Sequence, residues 1–115
     1  LNIALIYYYK KDYRQTVDYA TKAAECDPNV PQYYNTIALG YYGLREWAGV
    51  EKACRTALRI KPDYADTLFT LAGAYYMQGR YREARDAYAG VLKIKADYPE
   101  AEKWRNISED NMNKK

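Results

Sequence analysis

Shifted against itself by 34 residues, the chain matches itself without a gap, and a register of that length leaves few folds open. Residues 31–64 set against 65–98 pair Thr36 with Thr70, Ala38 with Ala72, Tyr41 with Tyr75, Tyr42 with Tyr76, Ala53 with Ala87, Leu58 with Leu92 and Tyr64 with Tyr98. Residues 1–30 set against 35–64 pair Ile3 with Ile37, Ala4 with Ala38, Leu5 with Leu39, Tyr7 with Tyr41, Tyr8 with Tyr42 and Pro28 with Pro62. A unit that recurs at this period cannot bury its apolar face alone, so it stacks on its neighbours. The expected organisation is one domain over 1–115. It holds repeat 1 at 1–30 (truncated at its start), repeat 2 at 31–64, repeat 3 at 65–98, and a closing helix with its tail at 99–115.

Each unit reads as two helices. Leu68, Leu71, Ala72 and Tyr75 recur at the spacing of one helical face, and Ala84, Ala87, Tyr88, Val91 and Leu92 make a second. Between them Gly79 can take the left-handed backbone that ends a helix. The second unit repeats this with Tyr34, Ile37, Ala38 and Tyr41, then Val50, Ala53, Cys54, Ala57 and Leu58. Pro28 and Pro62 stop one unit before the next begins. Linkers this short force antiparallel packing. Lys11 and Arg45 stand where Gly79 stands, and a left-handed residue with a side chain costs roughly 1 kcal/mol. Pro99 and Glu100 are expected to start the closing helix. Ala101, Trp104 and Ile107 then face the third repeat, and the tail from Asn111 to Lys115 frays.

This pattern resembles the tetratricopeptide-repeat family. Its signature is a large residue, a large aliphatic, a small residue and Tyr, then a small residue, an aromatic, a small residue and Pro. The second unit supplies Tyr34, Ile37, Ala38, Tyr41, Val50, Cys54, Ala57 and Pro62; the third supplies Leu68, Leu71, Ala72, Tyr75, Ala84, Tyr88, Val91 and Ala96. The first supplies Ile3, Ala4, Tyr7, Thr16, Ala20, Ala23 and Pro28. Val50 and Thr16 depart from the favoured small Ala, and Ala96 from Pro. The resemblance covers residues 1–98. It implies an all-α, right-handed superhelix (an α-solenoid) of three helix-turn-helix repeats plus a C-terminal capping helix.

The resemblance also implies a function, the binding of a protein or peptide segment in a concave groove lined by the first helix of each repeat. Carried over place by place, that groove holds Leu5, Tyr8 and Tyr9, then Gln32, Asn35, Thr36, Leu39 and Tyr42, then Asp66, Phe69, Thr70, Gly73, Tyr76 and Met77. Tyr64 and Tyr98 fall at its rim. Some members of the family hold the acidic tail of a chaperone with a clamp of Lys, Asn and Arg. The matching places here are Leu1, Leu5, Thr36, Asp66 and Thr70, with no cation among them. The expectation is therefore an apolar or mildly basic ligand, not an acidic chaperone tail.

The chain has 15 tyrosines, and the register accounts for most of them. Tyr7, Tyr41 and Tyr75 form one column where paired helices meet, and Tyr13, Trp47 and Tyr81 form another at the turn. Tyr8, Tyr42 and Tyr76 each follow the first column by one residue. They point about a quarter-turn away, outside the core pattern and into the expected groove.

Other classes find little support. There is no histidine, which removes Ser-His-Asp and Cys-His nucleophiles and the usual zinc sets. Gly40 and Gly43 lie inside a predicted helix with no strand before them, so no phosphate loop is present. No catalytic residue, metal ligand or cofactor is expected, and the chain does not read as an enzyme. A net charge of +3 is too small to imply nucleic acid, and Lys52, Arg55, Arg59, Arg82, Arg85 and Lys93 fall on the second helices as a solvated outer face. RNA-reading repeats want cations inside. No apolar run approaches the ~18 residues that suggest membrane insertion. Cys26 and Cys54 are expected as small core residues, not bonded to each other. The chain opens at Leu1 in mid-helix without Met, which reads as a fragment or processed form and leaves the compartment open, with the cytoplasm as default. The alternative function is a scaffold or self-association module that uses the ends and convex side.

Overall fold

The computed structural model describes residues 2–114, and every secondary-structure element among them is an α-helix. These are α1 (Asn2–Tyr9), α2 (Tyr13–Cys26), α3 (Pro31–Gly43), α4 (Trp47–Ile60), α5 (Ala65–Met77), α6 (Tyr81–Ile94) and α7 (Ala101–Met112). None is long and apolar enough to cross a membrane. The chain divides into two compact units, Leu1–Pro62 and Asp63–Lys115.

In the first unit α2 packs on α1 and α3, and α3 packs on α4. The interior is built from small side chains, with Ala4, Ala20, Ala38, Val50, Cys54 and Ala57 all fully buried. Small residues let the helices approach closely, and the large rings sit where a neighbour has no side chain. Tyr13 of α2 lies flat over Gly43 of α3, where any Cβ would strike the ring. Tyr41 lies over Gly49 of α4, where a Cβ would come within 2.7 Å of the ring. The Tyr41 column and the turn aromatics thus do the inter-helix packing that the register implies.

In the second unit α6 packs against both α5 and α7. Its centre is Ala72, Ala84 and Tyr88, enclosed by Phe69, Tyr75, Tyr76, Ala87 and Trp104. Trp104 reaches the third repeat as expected, with its ring 5.2 Å from that of Tyr76.

The three turns within repeats are the same motif. The amides of Lys11 and Asp12 donate to the carbonyls of Tyr8 and Tyr7, those of Arg45 and Glu46 to Tyr42 and Tyr41, and those of Gly79 and Arg80 to Tyr76 and Tyr75. This crossed pair of bonds satisfies the orphan carbonyls at a helix end and requires a left-handed residue at its centre. Lys11, Arg45 and Gly79 have φ of 63°, 58° and 77°. Only the third turn has the residue that adopts this backbone without strain. Replacing Arg45 by Gly should therefore raise stability by roughly 0.5–1 kcal/mol, less the extra chain entropy that Gly loses on folding. Thermal melting of Arg45→Gly against the parent checks this, and a lowered midpoint would contradict it.

Three sequence expectations need correction. The closing helix starts at Ala101, not at Pro99. Pro99 lies in a turn, and Glu100 caps the helix with a left-handed backbone (φ 67°) while its carbonyl accepts from the Trp104 amide. The tail does not fray from Asn111, because the Asn111 side-chain Nδ2 donates to the Tyr76 hydroxyl (3.2 Å) and the Ile107 carbonyl (3.0 Å). Lys115, also expected to fray, lies outside the described residues. Cys26 is exposed, while Cys54 is buried, and both are free thiols. Cys26 is the last residue of α2.

Candidate functional site

The tyrosines expected in the groove are paired within each repeat. Tyr8 lies 5.9 Å from Tyr13, Tyr42 lies 5.2 Å from Trp47, and Tyr76 lies 5.2 Å from Tyr81, centroid to centroid. The spacing is five residues each time, across the turn motif. The turn brings the end of one helix against the start of the next, so the rings meet, edge-on in the Tyr42–Trp47 and Tyr76–Tyr81 pairs and tilted in Tyr8–Tyr13. These tyrosines are therefore half-buried and do not stand outside the core pattern. Burial raises the hydroxyl pKa of Tyr8 and of Tyr42.

Tyr76 departs furthest from expectation. It is held between Tyr81 and Trp104 and takes the Asn111 hydrogen bond, so the closing helix engages its ring and its hydroxyl. Thr36 and Thr70, also placed in the groove by the resemblance, are buried at 4% and 9% exposure. Their hydroxyls donate to the carbonyls of Gln32 and Asp66, each at 3.0 Å, which uses the polar group inside its own helix. Gly73 is buried as well. Leu1, one of the clamp positions, lies outside the described residues.

The remaining predicted residues do present surface. In the first unit Tyr9 and Gln32 are exposed, and Leu5, Asn35, Leu39 and Tyr42 are half-buried. In the second unit Asp66 and Met77 are exposed and Phe69 is half-buried. Phe69 meets Tyr88 edge-on at 5.4 Å and tilts against Tyr98 at 5.1 Å. The Tyr98 hydroxyl donates to Asp66 Oδ1 at 2.6 Å. Burial first, and then this bond and the carboxylate's charge, raise the Tyr98 pKa. The rim residue and the acidic residue are thus one structural element, a link that neither helical spacing nor the repeat register reveals.

Two further features escaped sequence reasoning. Glu51 is only 9% exposed on α4, with Arg55 Nη2 at 3.1 Å. A lone Glu in a helix reads as surface, and only the packing around it says otherwise. Beside it, burial and then the Glu51 charge push the Cys54 thiol up to about 12. Since the thiolate is the reactive form, Cys54 should be inert at pH 8. A thiol reagent should label one cysteine per native chain, Cys26, and two after unfolding; rapid native labelling of Cys54 would contradict this. The outer cations Lys52, Arg55, Arg59, Arg82 and Lys93 are exposed as expected, while Arg85 is half-buried and pairs with Asp86 at 2.9 Å.

A profile of the tetratricopeptide-repeat family matches residues 43–103, and the chain belongs to that family. Its members are protein–protein interaction modules. Solved structures share the fold closely. The first such domain of Spaghetti (RPAP3), bound to the HSP90 peptide SRMEEVD, is 21% identical; the match covers 98% of this chain and 90% of that one, with a TM-score of 0.94. The first domain of human RPAP3 is 22% identical over 96% and 87% of the two chains, with a TM-score of 0.93. The second domain of human RPAP3, in complex with the HSP70 peptide SGPTIEEVD, is 16% identical over 94% and 90%, with a TM-score of 0.88.

Proposed function

We propose that the chain binds a protein segment, without catalysis, through its first helices: in the first unit the faces of α1 and α3 that carry Leu5, Tyr8, Tyr9, Gln32, Asn35, Leu39 and Tyr42, and in the second unit the face of α5 that carries Asp66, Phe69 and Met77. The observation that carries this reading is the chemistry of those faces. Aromatic and apolar side chains stand beside amides, with no cation among them and Asp66 as their one charge. Rings with polar tips give large contact area at low entropic cost and are favoured at interfaces. Such a surface suits an apolar or mildly basic segment.

The exclusion of an acidic chaperone tail does not carry over from the sequence. Two structural neighbours are seen with peptides that end in EEVD, so the fold itself accommodates an acidic tail. That observation favours a second reading, capture of an acidic tail by groups other than a cationic clamp. Fluorescence anisotropy with SRMEEVD and a charge-reversed SRMKKVK separates the two. Tighter binding of the charge-reversed peptide supports the proposal. Tighter binding of SRMEEVD overturns the ligand preference and supports the second reading.

A further inference from the structure

The second unit holds a carboxylate tied to a side chain 32 residues away. Asp66 lies in the first turn of α5 and is exposed. Tyr98, 32 residues further on, reaches back to donate its hydroxyl to Oδ1 at 2.6 Å. Phe69, one turn along α5, tilts against the Tyr98 ring at 5.1 Å. Tyr64, also half-buried, lies close enough to bear on the Tyr98 hydroxyl.

The result is a carboxylate fixed in direction by a phenol and flanked by aromatic rings. A carboxylate has about four acceptor sites, and the Tyr98 hydroxyl uses one. Among the described residues Asp66 has no ion-pair partner. An exposed acceptor beside two half-buried rings suits a planar cation, which donates in its plane and packs its face on a ring. A compact ammonium satisfies the charge but not the stacking.

We infer that Asp66, clasped by Tyr98 and flanked by Phe69, is the subsite for an arginine side chain of the bound segment. This rests on the reading that the α5 face binds such a segment. The carboxylate receives two N–H groups from the guanidinium, and the rings of Phe69 and Tyr98 shield it from water. Tyr98 acts as a positioning residue, since its hydroxyl holds Asp66 in one orientation before the ligand arrives.

The test uses blocked pentapeptides ALRLA, ALKLA and ALQLA titrated into the chain by calorimetry. ALRLA should bind about tenfold more tightly than ALQLA, with ALKLA between. Asp66→Asn keeps an acceptor for the Tyr98 hydroxyl, so it should stay folded, and the preference for ALRLA should vanish. Glu109→Gln, which removes an exposed charge elsewhere in the same unit, should keep it. If ALRLA and ALQLA bind alike and Phe69→Ala, still folded, weakens both, the arginine subsite is wrong while the binding face of α5 stands. A preference for ALRLA that survives Asp66→Asn also overturns the subsite, because the cation then sits elsewhere. If Phe69→Ala, still folded, leaves every peptide unaffected, the underlying reading of the face fails.

Discussion

Replacing Tyr42 and Phe69 together by Ala should weaken binding of a segment such as SRMKKVK by more than ~2 kcal/mol, the loss expected when central aromatic anchors are truncated. One ring belongs to each compact unit, and both are half-buried with part of the ring still accessible. Neither change is free of structural cost. Tyr42 leans edge-on against Trp47, and Phe69 meets Tyr88 and Tyr98. Aromatic pairs of this kind contribute about 0.5–1.5 kcal/mol beyond their area, so stability should fall in the double variant. Circular dichroism and a denaturant melt show whether it remains folded at the temperature of the titration. Controls belong on the outer face, and Arg59 and Lys52 suit that role. Arg55 does not, because its guanidinium meets the buried Glu51. Charge reversal at Arg59 and Lys52 that abolishes binding, with the folded double variant still binding normally, would sink the assignment.

Truncating Trp104 to Ala should destabilise the second unit by roughly 3 kcal/mol, within the usual range for a large aromatic that leaves a cavity. Trp104 is the main contact between α7 and the ring of Tyr76, and it encloses the core centred on Ala72, Ala84 and Tyr88. With the indole gone, Tyr76 loses one of its two ring partners and the Asn111 bond loses its support. Denaturant melts give the size of the effect, and hydrogen exchange gives its location. Amides of α7 should exchange fastest in the variant. A change under about 1 kcal/mol, with α7 still protected, would mean that α7 does not cap this unit through Trp104.

The repeat was legible because it is written in small residues and rings at fixed spacing. Ala38 and Ala72 are both fully buried, as are Val50 and Ala84, and Ala57 and Val91, so the columns that carry the pattern also carry the packing. The turns were legible from Gly79, and Lys11 and Arg45 followed from the register even without Gly. The candidate site was less so. A one-residue offset from a core column correctly says that Tyr42 points elsewhere than Tyr41. It cannot say that Trp47, five residues on and across a turn, will meet it. Thr36 and Thr70 looked like polar groove residues, yet a threonine hydroxyl in a helix readily bonds the carbonyl four residues back. Asp66 and Tyr98 are joined by a contact over 32 residues, and helical periodicity carries no information about such a pair. Cys26 shows the same limit at a helix end, where the apolar spacing persists but the packing has stopped.

The central claim is that the first helices, and not the second, meet the partner. Amide chemical-shift mapping on the isotopically labelled chain, titrated with SRMKKVK and separately with SRMEEVD, tests it most directly. The account predicts that the largest shifts fall on α1, α3 and α5, around Tyr9, Gln32, Tyr42, Asp66 and Phe69. The exposed faces of α4 and α6, around Arg59 and Lys93, should stay unmoved. Shifts concentrated on α4 and α6, with α3 and α5 silent, would contradict it.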